Sequence, residues 1–211
     1  PAEEGPGPGG AKYIVESGVL DDVEFMIGGP QSTYASVGQV LVKSGIACAG
    51  GHAFKLTLTG VGTHAISPQD GSDVISTAMQ IIDSWQSMLS RQIDPQQPVV
   101  LSVCSIHAGE MGATNVLPST AVFSGTIRTF NDPLRESILK KMRQRAESIS
   151  KFNGCTCMME EEYQFPVLVN HDAVTQIVKQ AAVEVVGPNA VFTVPEPSIG
   201  SEDFAQYAQK I

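Results

Sequence analysis

The sequence predicts a central α+β domain of ferredoxin-like topology, flanked on both sides by short α/β segments. Apolar and polar residues alternate from Phe54 to Thr59, a pattern typical of a half-buried strand. Apolar residues recur at helical spacing from Asp73 to Arg91. From Phe54 to Gln164 the predicted order is β-α-β-β-α-β, which is that of the split βαβ unit. The chain has 211 residues, of which 42% are hydrophobic and 17% charged, a globular composition.

The other elements of the central domain follow from the same kinds of pattern. Val99–His107, Ala121–Phe130 and Thr156–Gln164 are predicted strands. A second helix is predicted from Pro133 to Phe152, since a proline is favoured in the first turn of a helix. The two helices would cover one face of a four-stranded antiparallel sheet, so the other face would meet solvent or a partner.

The flanking segments contain too few strands to form sheets of their own. We therefore expect both to belong to one larger α/β domain, whose first half precedes Pro1 in a longer polypeptide. The predicted limits are 1–43 for the first segment, 44–165 for the central domain and 166–211 for the return to the α/β domain. The elements predicted in the two segments are the helices Ala11–Leu20, Asp172–Val186 and Ser201–Lys210, and the strands Val23–Ile27, Gln39–Ile46 and Ala190–Val194.

Charge and composition argue against two classes of partner. With 22 acidic and 13 basic residues, the chain carries a formal charge of −9 and lacks the basic surface that nucleic acids require. No run approaches the roughly 20 apolar residues of a membrane span, so we expect no membrane partner. The four cysteines lack CxxC spacing, which favours a reduced, cytoplasmic protein with structural thiols.

Two adjacent carboxylates stand at the start of the chain, in Pro-Ala-Glu-Glu-Gly. Adjacent side chains on an extended backbone point in different directions. One carboxylate of the Glu3-Glu4 pair can therefore bind a metal ion while the other acts as a base toward water. The alternative is a solvated acidic turn.

A histidine lies in the glycine-containing loop between the first strand and the first helix of the central domain. His64 occurs in Gly62-Thr63-His64-Ala65. From such a loop an imidazole can reach a neighbouring site and donate a hydrogen bond to a developing oxyanion. The alternative is an ordinary surface histidine.

An amide and a guanidinium occur in the second half of the central domain. Asn115 lies in Thr-Asn-Val-Leu-Pro between the two central strands, and Arg128 lies in the following strand among apolar residues. An arginine in such a strand usually pairs with a carboxylate, which can belong to the protein or to a substrate. Both readings remain open.

A last motif, Gly-Ser-Glu-Asp-Phe, begins at Gly200. Ser201 is predicted to cap the final helix, and two acidic residues follow in its first turn. Helix capping and the helix dipole explain this pattern without a further role.

The order of these motifs, PAEEG, GTHAISP, TNVLP, TIRTF and GSEDF, resembles the M20 metallopeptidase family. The similarity is greatest to its amidohydrolase branch, which includes N-acyl-amino-acid amidohydrolases, hippurate hydrolases and auxin-conjugate hydrolases. It extends essentially from Pro1 to Ile211. It implies an α/β catalytic domain with a two-metal site, interrupted by a lid domain that mediates homodimerisation, and it implies N-acyl amino acids as substrates.

The resemblance also assigns roles to individual residues. It implies that Glu3 is the general base and Glu4 a metal ligand. It implies that His64 reaches an active site, often that of the partner subunit, and that Asn115 and Arg128 hold the substrate. The implied cofactor is a divalent metal, and zinc, manganese and cobalt all suit carboxylate and imidazole ligands.

The sequence departs from the family pattern at several positions. Proline cannot ligate a metal, yet Pro30 stands where a histidine ligand is expected, while Thr63 replaces a usual glycine. The Cys-x-His or His-x-Asp ligands would precede Pro1, and the last histidine ligand would follow Ile211. Two hypotheses therefore remain. The chain is part of a metal-dependent amidohydrolase, with a ligand such as His52 replacing the missing histidine, or it is a non-catalytic binding or dimerisation module.

Overall fold

The computed structural model describes residues 9–211, and these fall into two compact units. One unit is His52–Tyr163, and the other joins the described residues up to Gly51 to Gln164–Ile211. Glu3 and Glu4 lie outside the described residues. In chain order the elements are α1 (Gly10–Glu16), β1 (Val40–Val42), β2 (Gly45–Cys48), β3 (Gly50–Thr59), β4 (Thr63–His64), α2 (Val74–Gln92), β5 (Val99–Ala108), β6 (Val116–Leu117), β7 (Thr120–Thr129), α3 (Asp132–Phe152), β8 (Thr156–Phe165), β9 (Leu168–Asn170), α4 (Asp172–Val186), β10 (Val191–Thr193) and α5 (Ala205–Lys210), with 3-10 turns at Pro68–Asp70 and Pro188–Ala190.

The main sheet of the His52–Tyr163 unit has four strands in the order β5-β7-β3-β8. Its principal elements follow each other as β3-α2-β5-β7-α3-β8, the order predicted from the sequence. β5 and β7 pair antiparallel from Val99↔Thr129 to Ala108↔Ala121, with a bulge between Val103 and Ser105. The short pair β4–β6 was not predicted, because two-residue strands carry no periodic signal.

The core of this unit forms where β3 packs on α2. Phe54, Leu56 and Leu58 are fully buried, whereas Lys55 between them is only half-buried, as strand alternation requires. Trp85 meets Phe54 edge-on, with ring centroids 5.4 Å apart, and its Nε1 donates to the Met142 carbonyl at 3.0 Å. An aromatic pair of this kind contributes about 0.5–1.5 kcal/mol beyond area burial.

Side-chain caps fix where the two long helices begin. Asp73 accepts hydrogen bonds from the backbone N–H groups of Ile75 and Ser76 at 2.9 and 3.0 Å. Asn131 accepts from the Leu134 N–H at 3.0 Å, so it is the cap of α3. Each cap stabilises its helix by about 1 kcal/mol.

The second unit contains two short strand pairs. β1 pairs parallel with β10, and β2 pairs antiparallel with β9. Helix α4 packs on β1 and β10, and α1 packs on α5. The predicted strand Gln39–Ile46 is divided into β1 and β2 by Lys43 and Ser44. Among residues 9–211, none of the helices combines the length and apolar character needed to cross a membrane.

One predicted strand of this unit is wrong, and the last predicted helix is present but begins later than expected. Val23–Ile27 is irregular, with Phe25 and Ile27 more than half exposed. Within the described chain it has no paired strand to satisfy its backbone, so apolar composition alone did not make it a strand.

The last helix does not begin at Ser201. α5 starts at Ala205 and has no side-chain cap. The Ser201 hydroxyl lies instead against Gly51, where a Cβ atom on the glycine would come within 2.3 Å of Oγ. Close packing in the folded unit thus replaces the capping role that the sequence predicts for this serine.

We predict that Gly125→Ala destabilises the His52–Tyr163 unit. A Cβ atom at this position would lie 2.0 Å from the Ser102 carbonyl oxygen and 2.7 Å from the Phe54 ring, so the backbone must shift. Overpacking of this kind costs about 1–3 kcal/mol or more. Urea unfolding followed by the fluorescence of Trp85, the single tryptophan, measures the loss.

Gly29→Ala is the matched control, because no atom lies within 4 Å of the added Cβ. Equal unfolding midpoints for the two variants would show that Gly125 does not approach β5 so closely in solution.

Candidate functional site

Two of the sequence motifs meet at the β4–β6 ribbon. Thr63 pairs with Leu117 and His64 with Val116 in antiparallel register. Directly beyond this pair, the Ala65 N–H donates to the Asn115 carbonyl at 3.0 Å. The structure therefore brings the segments of His64 and Asn115 side by side, although they are far apart in sequence.

The loop that leads from β3 to His64 is held on two sides. The Gly60 N–H donates to the Ser119 carbonyl and the Ser72 N–H to the Val61 carbonyl, both at 2.8 Å. A Cβ atom at Gly60 would lie 2.7 Å from the Ser72 carbonyl oxygen, so only glycine fits without a shift. The path of the backbone into β4 is thus fixed by contacts from both neighbouring segments.

The ring of His64 is exposed, and one of its two nitrogens accepts a hydrogen bond from the backbone. Its Nδ1 accepts from the Ile66 N–H at 3.2 Å. A neutral imidazole that accepts at Nδ1 carries its proton on Nε2. His64 therefore carries its hydrogen-bond donor on Nε2, and a donor is what an oxyanion-binding group requires.

An open groove of about 760 Å³ adjoins the ribbon. β4, β6 and the adjoining ends of β5 and β7 form its walls, and its ionisable lining residues are His64, His107 and Glu110. His107 pairs with Val122 across β5 and β7. Neither His107 nor Glu110 belongs to a motif recognised in the sequence. Their position where β5 ends was the available signal, because functional groups often follow strand ends.

Arg128 is not brought to this groove. It lies half-buried on β7 between the buried residues Ile127 and Thr129, so it projects from the face opposite the core. Val122 lies on the same face and lines the groove. The strand between Val122 and Arg128 is roughly 20 Å long at the usual rise per residue. The groove beside His64 and the position of Arg128 therefore lie toward opposite ends of β7.

The described chain does not by itself form a metal site. Across residues 9–211 there is no group of three or more histidine, cysteine, aspartate or glutamate residues that could hold a metal ion. Pro30 is exposed in an irregular segment. Metal ligation by Glu4, which lies outside the described residues, therefore stays a prediction.

His52, the alternative ligand, is buried in β3 and faces a carboxylate. Its side chain is 1% exposed, and its Nε2 lies 3.5 Å from the Glu161 Oε2. The other oxygen of Glu161 accepts from the Arg143 Nη2 at 2.6 Å. This arrangement links β3, β8 and α3 by polar contacts, and it offers a structural role for His52 in place of metal binding.

All four cysteines are free thiols. Burial raises the pKa of the Cys157 thiol; a hydrogen bond with Ser150 lowers it and the charge of Glu147 raises it. A raised pKa keeps the thiol protonated at neutral pH, and a protonated thiol is a poor nucleophile and metal ligand. The structural role predicted for this cysteine agrees with that chemistry.

Comparison with known proteins gives a family match and several relatives. The family model of the peptidase dimerisation domain of M20 proteins matches residues 46–153. IAA-amino acid hydrolase ILR1-like 4 of Arabidopsis thaliana is 36% identical over 100% of the chain and 48% of its own length. N-acetyl-L-cysteine deacetylase of Bacillus subtilis is 34% identical over 100% and 49%. Thermostable carboxypeptidase 2 of Saccharolobus solfataricus is 34% identical over 100% and 52%. The chain thus spans about half the length of these curated relatives.

Solved structures give the same result. A protein from methicillin-resistant Staphylococcus aureus superposes with a TM-score of 0.83 at 31% identity, over 100% of this chain and 54% of the other. The YXEP protein of Bacillus subtilis, described as a dinuclear metal binding peptidase of the M20 family, gives a TM-score of 0.73 at 28% identity over 95% and 49%. The relatives named above are hydrolases. Because the family model covers half of the sequence, the chain belongs to the M20 peptidase family and carries its dimerisation domain.

Proposed function

We propose that this chain is part of a metal-dependent amidohydrolase that cleaves the amide bond of N-acyl amino acids. The observation that carries the proposal is the β4–β6 pairing, which joins the His64 and Asn115 motifs beside a groove. The relatives support the reaction class, since they are named as an amino acid conjugate hydrolase, a deacetylase and a carboxypeptidase.

His64 and Asn115 would stabilise the reacting amide. A donor at His64 Nε2 can bind the oxygen on which negative charge develops, and the Asn115 amide can bind substrate as donor or acceptor. One such donor is worth about 10²–10³ in rate. Arg128 would bind the substrate carboxylate as a bidentate partner. Since about 20 Å of strand separates Arg128 from the groove residue Val122, we propose that His64 and Arg128 of one subunit serve different active sites of a dimer.

The acidic pair would supply the base and one metal ligand. We propose Glu3 as the general base and Glu4 as a ligand of a divalent ion such as zinc, manganese or cobalt. The dinuclear metal binding of the YXEP protein supports a metal in the complete enzyme. Residues 9–211 contain no cluster of three candidate ligands, so we expect the other ligands to come from sequence outside the part that the structure describes.

We further propose that residues 44–165 form a ferredoxin-like lid domain that pairs with a second copy. The sheet order β5-β7-β3-β8 leaves β5 and β8 at the edges, and Ser105–His107 of β5 are exposed. An exposed edge strand offers unpaired backbone groups to another strand. The match to a dimerisation domain supports this assignment. Residues 1–43 and 166–211 would belong to the α/β hydrolase domain, and free thiols favour a cytoplasmic location.

A second candidate function is binding or dimerisation without catalysis. Pro30 favours it, because proline replaces an expected histidine ligand in an exposed irregular segment. Measured turnover by the complete protein separates the two functions.

We predict that the 211-residue chain alone does not hydrolyse a hippurate-type substrate. A hydrolytic metal needs about three protein ligands and an open position, and one carboxylate does not hold it at useful affinity. Initial rates with added zinc, manganese or cobalt test this. Metal-dependent turnover by the purified chain would refute the argument that it has too few ligands to hold the metal.

In the complete enzyme we predict opposite effects for the two acidic residues. Glu3→Gln keeps the shape but cannot accept a proton, so turnover should fall about 10²–10⁴-fold with metal content nearly unchanged. Glu4→Gln removes a charged ligand and should release metal. Metal analysis by mass spectrometry, alongside initial rates, distinguishes them.

If Glu3→Gln lost the metal and Glu4→Gln kept it, Glu3 would be the ligand and Glu4 the base. If neither variant changed the rate, Glu3 and Glu4 would have no catalytic role, and the pair would be a solvated acidic turn.

We predict that Ile106→Lys shifts the chain from dimer to monomer. Ile106 is 52% exposed on the edge strand β5, and a lysine there opposes pairing with a second edge. Light scattering across a concentration series measures the change. Val185→Lys is the control, because Val185 is 83% exposed in α4, outside the proposed pairing domain. A monomeric wild-type chain at high concentration would contradict the proposed dimer.

A further inference from the structure

The groove beside His64 combines apolar walls with one carboxylate. Its volume of about 760 Å³ lies within the range of about 300–1,000 Å³ that is typical of small-molecule sites. Glu110 is the one acidic side chain in the described lining, which contains neither lysine nor arginine. The apolar walls are formed by Ala113, Val116, Leu117, Pro118 and Val122. These walls and this charge together fit a ligand that has an apolar body and a positive charge.

Glu110 is placed in the groove by a turn that follows β5. Gly109 has φ +72°, a conformation that glycine adopts without steric cost, and it leads the chain out of the strand. The Ala113 N–H donates to the Glu110 carbonyl at 3.1 Å and closes the turn. A Cβ atom on Gly109 would lie 3.6 Å from the Pro118 side chain, so the turn packs beside the end of β6. Since β6 also pairs with the strand of His64, Glu110 and His64 line one groove from two segments.

The charge of Glu110 is not neutralised by the part of the chain that the structure describes. Within residues 9–211 it takes part in no ion pair. Glu160 of the same unit, in contrast, lies 3.3 Å from the Lys55 Nζ. The formal charge of −9 on the whole chain also attracts cations rather than anions. Glu110 can therefore pair with a positive group that a ligand brings into the groove.

The proposed reaction determines which part of the substrate enters the groove. His64 is assigned to the oxygen of the amide carbonyl, and the acyl group is bonded to the carbon of that carbonyl. The carboxylate of the amino acid is assigned to Arg128, which lies toward the other end of β7 from the groove. The groove beside His64 is therefore left to the acyl group.

We infer that Glu110 is a specificity-determining residue, which selects N-acyl amino acids whose acyl group is apolar and ends in an ammonium group. This inference rests on the proposed amidohydrolase function. An ammonium group donates a charge-assisted hydrogen bond to a carboxylate, which a neutral group of the same size cannot match. Glu110 is exposed, so water moderates the attraction, and we expect a preference of about fivefold.

The first test compares three substrates in the complete enzyme. They are glycine conjugates of benzoate that carry a para-aminomethyl, a para-ethyl or a para-carboxymethyl group. The first two have nearly the same shape, but only the aminomethyl group is a cation at neutral pH. We expect kcat/KM to be about fivefold higher for the aminomethyl than for the ethyl substrate, and lowest for the carboxymethyl substrate.

Substitution of Glu110 should remove or reverse this preference. Glu110→Gln keeps the shape of the side chain without its charge, so the ratio of kcat/KM for the aminomethyl and ethyl substrates should approach one. Glu110→Lys should favour the carboxymethyl substrate instead. A ratio between two substrates cancels any loss of folded enzyme, because that loss affects both equally. Glu162→Gln is the matched control, because Glu162 is an exposed carboxylate on β8, at the opposite sheet edge from β5.

Binding of benzylammonium to the 211-residue chain supplies a readout without catalysis. Titration followed by NMR should shift the resonances of Glu110 and His107, with an affinity about fivefold lower in Glu110→Gln and unchanged in Glu162→Gln. Absence of this binding, or equal affinities of the wild type and Glu110→Gln, overturns the inference. A wild-type ratio near one, or a ratio that Glu110→Gln leaves unchanged, also overturns it. If the complete enzyme hydrolyses none of the three substrates, the proposed function fails, while the titration still decides whether Glu110 binds a cation in the groove.

Discussion

The burial of β3 is the constraint on which the rest of the His52–Tyr163 unit depends. β3 lies between β7 and β8, and three of its side chains fill the core beneath α2. The strand leads directly through Gly60 into β4, so its position determines where His64 emerges. Closely packed interiors transmit small displacements. A shift in the core would therefore change the geometry of the ribbon, although none of the core side chains among residues 9–211 lines the groove.

Elements with a strong local pattern could be predicted from the sequence. The alternation at Phe54–Thr59 and the helical spacing at Asp73–Arg91 both correspond to elements of the structure, with ends that differ by a few residues. Val23–Ile27 shows the limit of this reasoning. An apolar run indicates a strand only when a neighbouring strand is available to pair with it.

The candidate site depends on pairing that has no local signal. The motifs of His64 and Asn115 could each be found in the sequence, but their contact requires the two-residue strands β4 and β6. The hydrogen bond from the Ala11 N–H to the Asp203 carboxylate could not be predicted either, because the two residues are 192 positions apart in the sequence. His107 and Glu110 were missed since neither belongs to a motif that the sequence analysis recognised. Long-range contacts of this kind emerge only when the whole fold is assembled.

The shortness of the β4–β6 ribbon has a consequence for local stability. The ribbon is held by two residue pairs and a few flanking backbone hydrogen bonds, so it should open at a lower free energy than the four-stranded sheet beside it. Opening would separate the His64 loop from the Asn115 segment while Trp85 stays packed. The His52–Tyr163 unit thus combines a closely packed sheet with a short ribbon that can open before the domain unfolds, so access to the groove could change on the timescale of the ribbon rather than on that of the core.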